Sequence, residues 1–99
     1  MIEHIVLLAW KEGTPHAEQE RLLRELLALK EQIPGIVSVS GGENFSARSQ
    51  GYHHGFLVTF KDRASLDAYG PHKAHQRVVA QLQPVLQSIL VLDFERATE

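Results

Sequence analysis

The chain has 99 residues, 43% hydrophobic and 22% charged, with a formal net charge of −2 and no cysteine. That is the composition of one ordinary globular domain, long enough for a core with little to spare. It excludes a disulfide framework, a thiolate nucleophile and a cysteine-ligated zinc site, and it offers no basic cluster to meet a nucleic acid.

In chain order, "IEHIVLLAW" reads as strand one, Ile2 to Trp10. Its run of six apolar residues is continuous rather than alternating, as expected of a strand buried on both faces. The run is too short for a membrane span, which takes roughly 20 residues, and it lacks the basic flank of a signal peptide. A soluble, cytoplasmic protein is the expectation. Thr14 reads as an N-cap, with Pro15 at the first helical position and Glu18 and Glu20 near the positive end of the dipole. Leu22, Leu26, Leu29 and Ile33 keep the helical period, so helix one is expected over Pro15 to Gln32, stopped by Pro34.

Ile36 to Phe45 reads as strand two, with a bulge or bend at Gly41-Gly42, and Tyr52 to Lys61 as strand three. Asp62 caps a short helix over Arg63 to Tyr69, ended by Gly70-Pro71. A further helix follows from His72 to Gln83, and strand four from Ser88 to Glu95. The order β-α-β-β-α-α-β packs naturally as an α+β, ferredoxin-like domain over residues 1–99, an antiparallel sheet of strand order 4-1-3-2 with helices on one face. Strands one, three and four are apolar on both faces, and the helices cover one. A second copy, sheet against sheet, is the expected cover, giving a homodimer.

Side-chain parity sorts the polar groups. His4 shares a face with Val6 and Leu8, His54 with Phe56 and Val58, and Asp93 with Val91 and Ile89, so His4, His54 and Asp93 are expected to group. On the last helix His75 lies on the face set by Val78, Val79 and Leu82, and points at the sheet. There the helix dipole and burial both favour neutral imidazole, which suits a general base. Tyr69 is placed to polarise a substrate carbonyl as a phenolic donor. The matching chemistry is proton abstraction beside a carbonyl, followed by addition or elimination, without a cofactor. The segment His72-x-x-His75 with His54 or Asp93 is the metal alternative, and no metal is expected. His72, directly after Pro71, suits a capping role. His53 and His54 fall on opposite faces, and His16 is assigned no role.

The segments "MIEHIVLLAWK", "IPGI", "GYHHGFLVTFKD", "LDAYGPHKAHQRVV" and "VLDFE", in this order and spacing, resemble the stress-responsive dimeric α/β-barrel (Dabb) family across nearly the whole chain. The resemblance implies a ferredoxin-like protomer and a homodimer whose two sheets form a barrel. A plant polyketide-cyclase branch of that family works by a histidine acid/base with a tyrosine partner, in a cavity between sheet and helices. The matching positions are His75 and Tyr69, and His4, His54, His72 and Asp93 also carry that branch's residue types. Val58 and Leu26 are expected among the ligand contacts. Two features depart from the plant cyclases. Leu22, Leu23 and Leu26 stand where those enzymes carry aromatic residues, and Lys73 follows His72 in place of proline. The resemblance thus implies a small hydrophobic or aromatic ligand and cofactor-free cyclisation or elimination. A non-catalytic stress-related dimer or binding protein, and a cofactor-free monooxygenase of a related barrel type, are the alternatives.

Overall fold

In the computed structural model, which describes residues 1–97, the first strand, β1 (Ile2–Trp10), runs through the middle of the sheet. After it come α1 (His16–Ala28), extended by a 3-10 turn over Leu29–Glu31, then β2 (Ile36–Glu43), β3 (His54–Phe60), α2 (Arg63–Tyr69), α3 (Lys73–Leu82) and β4 (Leu86–Glu95). The strands lie in the order β2-β3-β1-β4 and every ladder is antiparallel. This is the expected ferredoxin-like arrangement. The single domain expected over residues 1–99 extends to residues 98 and 99, which lie outside the described residues.

Register aligns one parity of side chains into the core. Val6 stands opposite Phe56 on one side and Val91 on the other, and Leu8 opposite His54 and Ile89. Val6, Leu8, Phe56, Val58 and Phe60 are buried against Leu22, Leu26 and Leu29 of the first helix and Val78 and Leu82 of the third. At ~25 cal/mol per Å² of apolar area, this face is the main stabilising term of the fold. The opposite parity faces away from the helices. There Leu90, Leu92 and Phe94 of β4 are 50%, 55% and 44% exposed, beside the half-buried Ile5, Leu7 and Leu57.

Several boundaries differ from the sequence reading, each for a local reason. Thr14 does not cap α1. Its hydroxyl donates to the Lys11 carbonyl at 2.7 Å within a turn, and Pro15 takes the cap position without a side-chain bond. The helix tightens at Leu29, where the Gln32 N–H bonds the Leu29 carbonyl, so the α-helix is shorter than expected. The irregularity of β2 falls between Ile36 and Ser38, not at Gly41-Gly42. Gly41 serves close packing instead, since a Cβ there would lie 2.7 Å from the Phe56 Cβ. Strand β3 begins at His54 and β4 at Leu86.

Candidate functional site

Between the sheet and the helices lies a cavity of about 260 Å³. Val6, Leu8 and Phe56 line its sheet side, Leu26 comes from α1, and Val79 and Leu82 from α3. Ile89 and Val91, 51% and 47% exposed, flank it at the edge of the sheet. At ~30 Å³ per water, the space holds about nine, enough for a compact single-ring compound. The lining includes no lysine, arginine, aspartate or glutamate.

Three polar side chains meet at one end. Tyr69 is the last residue of α2 and is 3% exposed. Its ring packs at 5.1 Å from Phe60, 5.8 Å from His4 and 4.4 Å from His75, centroid to centroid. Its hydroxyl is buried and has no hydrogen-bond partner among the described residues. A buried hydroxyl without a partner costs about 1–3 kcal/mol, and the residue that carries it lines the cavity. Burial also pushes the phenol up to about 12, so it stays a donor at neutral pH.

His75 sits in the first turn of α3 and lines the same cavity. Its Nδ1–H donates to the Gly70 carbonyl at 3.0 Å. That bond settles the tautomer and leaves the Nε2 lone pair free. Burial holds the imidazole below its usual 6.5, partly opposed by the Gly70 bond and reinforced by His4 and His72 nearby. His4 lines the cavity from β1, and its Nδ1–H donates to the Asp93 carboxylate on the neighbouring strand. Asp93 thus orients His4.

The structure divides the residues expected from sequence. Tyr69, His75, His4 and Leu26 line the cavity, with Asp93 behind His4. Val58 is cross-strand neighbour to His4 and buried beneath it, outside the lining. His72 turns out to be the N-cap of α3, its Nδ1 accepting from the Ala74 N–H at 3.0 Å. His54 does not join His4 and Asp93. It pairs with Leu8, four residues along β1 from His4, which places it at the other end of the sheet. There the Trp10 Nε1–H donates to its Nδ1 at 2.9 Å and its Nε2–H meets Glu20 at 3.1 Å. The His72 Nδ1 accepts, which puts that ring's proton on Nε2, so His72 offers no lone pair to a metal beside His75. Among the described residues the one cluster of metal-ligating type is His16, Glu20 and His54, a grouping the sequence reading missed.

The model of the Dabb family, described as Stress responsive A/B Barrel Domain, matches residues 2–96. Stress-response A/B barrel domain-containing protein At5g22580 of Arabidopsis thaliana is 30% identical over 95 residues, covering 93% of this chain and 83% of that protein. Olivetolic acid cyclase of Cannabis sativa is 23% identical, covering 94% of each. Among solved structures, At3g17210 from Arabidopsis thaliana superposes with a TM-score of 0.91 at 25% identity, over 100% of this chain and 98% of that one. A dimeric ferredoxin-like protein of unknown function from Jannaschia sp. CCS1 gives 0.82 at 33% identity, over 96% and 98%. A hydroxynitrile lyase from Passiflora edulis gives 0.86, over 94% and 90%, and at 18% identity this likeness shows the fold alone.

Proposed function

This chain belongs to the stress-responsive A/B barrel (Dabb) family, and from that premise we propose that it is a homodimeric, cofactor-free acid/base protein acting on a small neutral carbonyl compound. The observation that carries the reading is the buried Tyr69 hydroxyl without a partner, beside a histidine whose free nitrogen is defined. A ligand carbonyl in the cavity gives that hydroxyl its missing acceptor. The His75 Nε2 takes a proton from the adjacent carbon, and Tyr69 donates a hydrogen bond to the oxygen as the enolate forms. The enolate carbon then attacks a second carbonyl of the same molecule, closing a ring, or expels a leaving group. The imidazolium returns its proton to the product. Olivetolic acid cyclase among the similar proteins fits the ring-closing outcome. The apolar, half-exposed outer face of the sheet supports the homodimer, as do relatives solved as dimers. The absence of cysteine fits a cytoplasmic setting.

The test needs no knowledge of the natural substrate. In D₂O, NMR follows exchange of the α-hydrogens of small aromatic and 1,3-diketones. The wild type is expected to accelerate exchange, and His75→Ala to lose at least about a hundredfold of that rate while keeping its fold. Absence of exchange across the panel would leave binding without chemistry as the function of the cavity.

A further inference from the structure

Large apolar side chains stand exposed at both edges of the sheet. At one edge β4 is uncovered on both faces, with Leu90, Leu92 and Phe94 on the outer face and Ile89 and Val91 at the cavity. At the other edge, just beyond β2, Phe45 is 100% exposed. The loop that carries it is tied down. The Asn44 N–H donates to the His53 carbonyl at 2.8 Å, the Asn44 side chain to the Tyr52 carbonyl at 2.9 Å, and the Ser46 N–H to the Asn44 side-chain oxygen at 3.0 Å. A phenylalanine held in water by bonds on both of its neighbours is a preformed anchor for another surface.

The outer face suits a second copy of this chain, and its relief sets how that copy lies. Four strands about 4.8 Å apart, each at least seven residues long at about 3.4 Å per residue, make a face of roughly 19 by 24 Å. With side-chain relief this approaches the ~800 Å² per partner of a stable interface. Its one charged strand residue, Glu3, is already bonded by Thr59 and Arg96, so docking buries no unpaired charge. Bulk and hollow lie on opposite sides of the face. Leu90, Leu92 and Phe94 stand on β4, whereas β2 carries Ser38, Ser40 and Gly42. A hollow of about 260 Å³ lies next to them, over Gly55 and between Ile5, Leu7 and Leu57. A two-fold axis can run along the strands or across them. Across, it stacks β4 on β4, bulk against bulk, and hollow on hollow. Along, it lays the bulky row of each copy over the small side chains of β2 in the other, which close packing favours.

Levels along the sheet then place Phe45. Glu43 pairs with His54, His54 with Leu8, and Leu8 with Ile89, so these four stand on one line across the sheet. An axis along the strands keeps that level. It brings the end of β2 of the second copy beside Ile89, and Phe45 follows two residues later. Resting on the homodimer proposed above, we infer that Phe45 of each copy packs on Ile89 of the other and closes the mouth of its cavity. Ile89 and Val91 are half exposed because that wall is missing from a single chain. The cavity of one copy is completed by the other, and the Tyr69 and His75 pair works behind a wall that keeps bulk water out.

The chain has no cysteine, so introduced thiols report the contact. With Phe45→Cys and Ile89→Cys in the same chain, a short bismaleimide is expected to join two chains into a species of doubled mass on a denaturing gel. Either substitution alone leaves single chains. Within one chain the two positions lie at opposite edges, three strand spacings or about 14 Å apart, and a link there would not double the mass. Leu92→Cys alone is expected to stay unlinked, because only the crosswise axis sets β4 against β4. A second readout follows the thiol of Ile89→Cys, which Phe45 of the other copy shields. Adding Phe45→Ala should speed its reaction with a thiol reagent at least about tenfold, while sedimentation still shows dimers. A monomeric wild type would overturn the homodimer and this contact with it. Dimers that the paired thiols do not join, that Leu92→Cys joins, or in which Phe45→Ala leaves the thiol rate unchanged would overturn the contact alone and leave the homodimer standing.

Discussion

At the scale of single residues, chemistry rests on which atoms already have partners. His75 and His72 are three positions apart in one helix start, yet one lines a cavity and the other caps the helix. Helical periodicity alone was enough to separate them, because Val78, Val79 and Leu82 define the inner face on which His75 falls. His54 was harder to place. Strand parity assigns a side chain to a face, but its position along the sheet depends on register, and the pairing of His54 with Leu8 is not visible in either strand by itself. His16 and Glu20 meet by helical spacing, and it is the approach of His54 to that pair that neither segment shows by itself. For His75, burial favours the neutral ring, so its value in the fold lies below the 6.5 of the unfolded chain. The unfolded state then binds the extra proton first. The contribution to stability is complete above 6.5 and is lost as pH falls through the folded value. The α-exchange rate should therefore be level from pH 7 upward and fall on the acid side with an apparent pKa below 6.5. A midpoint above 6.5 would contradict the neutral-base assignment.

Elements were legible in number, type and order, and less so at their ends. Apolar periodicity located every strand and helix, whereas Thr14 was drawn into a turn with Lys11 and the end of α1 tightened into a 3-10 turn, outcomes set by local hydrogen bonds. What anchors α1 to the sheet at its N-terminal half is the chain of bonds from Trp10 through His54 to Glu20. His54 is fully buried, so His54→Ala leaves a cavity and strips the Trp10 N–H of its acceptor. The expected cost is about 3 kcal/mol, or a fall in Tm of about 15 °C for a domain of this size. Urea unfolding followed by fluorescence of Trp10, the chain's one tryptophan, measures it. A loss below about 1 kcal/mol would show that the bond chain carries little of the fold.

For the molecule as a whole, the sequence pattern anticipated the ferredoxin-like sheet and an apolar outer face, and the structure displays both. The row Leu90, Leu92 and Phe94, each about half exposed, has no cover among the described residues. In the proposed homodimer a second copy covers it. Sedimentation at micromolar concentration should give twice 11.1 kDa, and Leu92→Asp, which sets a charge in the middle of that row, should give a monomer. The cavity lies on the other side of the same sheet, between it and the helices, and its defining feature is a hydroxyl held without a partner. In the proposed function, the ligand carbonyl is what such a costly group is kept for. Tyr69→Phe tests this most directly, by calorimetric titration with a small aromatic ketone and thermal unfolding on the same two proteins. The variant is expected to be more stable by about 1 kcal/mol, because the unpaired hydroxyl is gone, and to bind the ketone about tenfold more weakly. A less stable variant with unchanged affinity would contradict it, and would make Tyr69 part of the core.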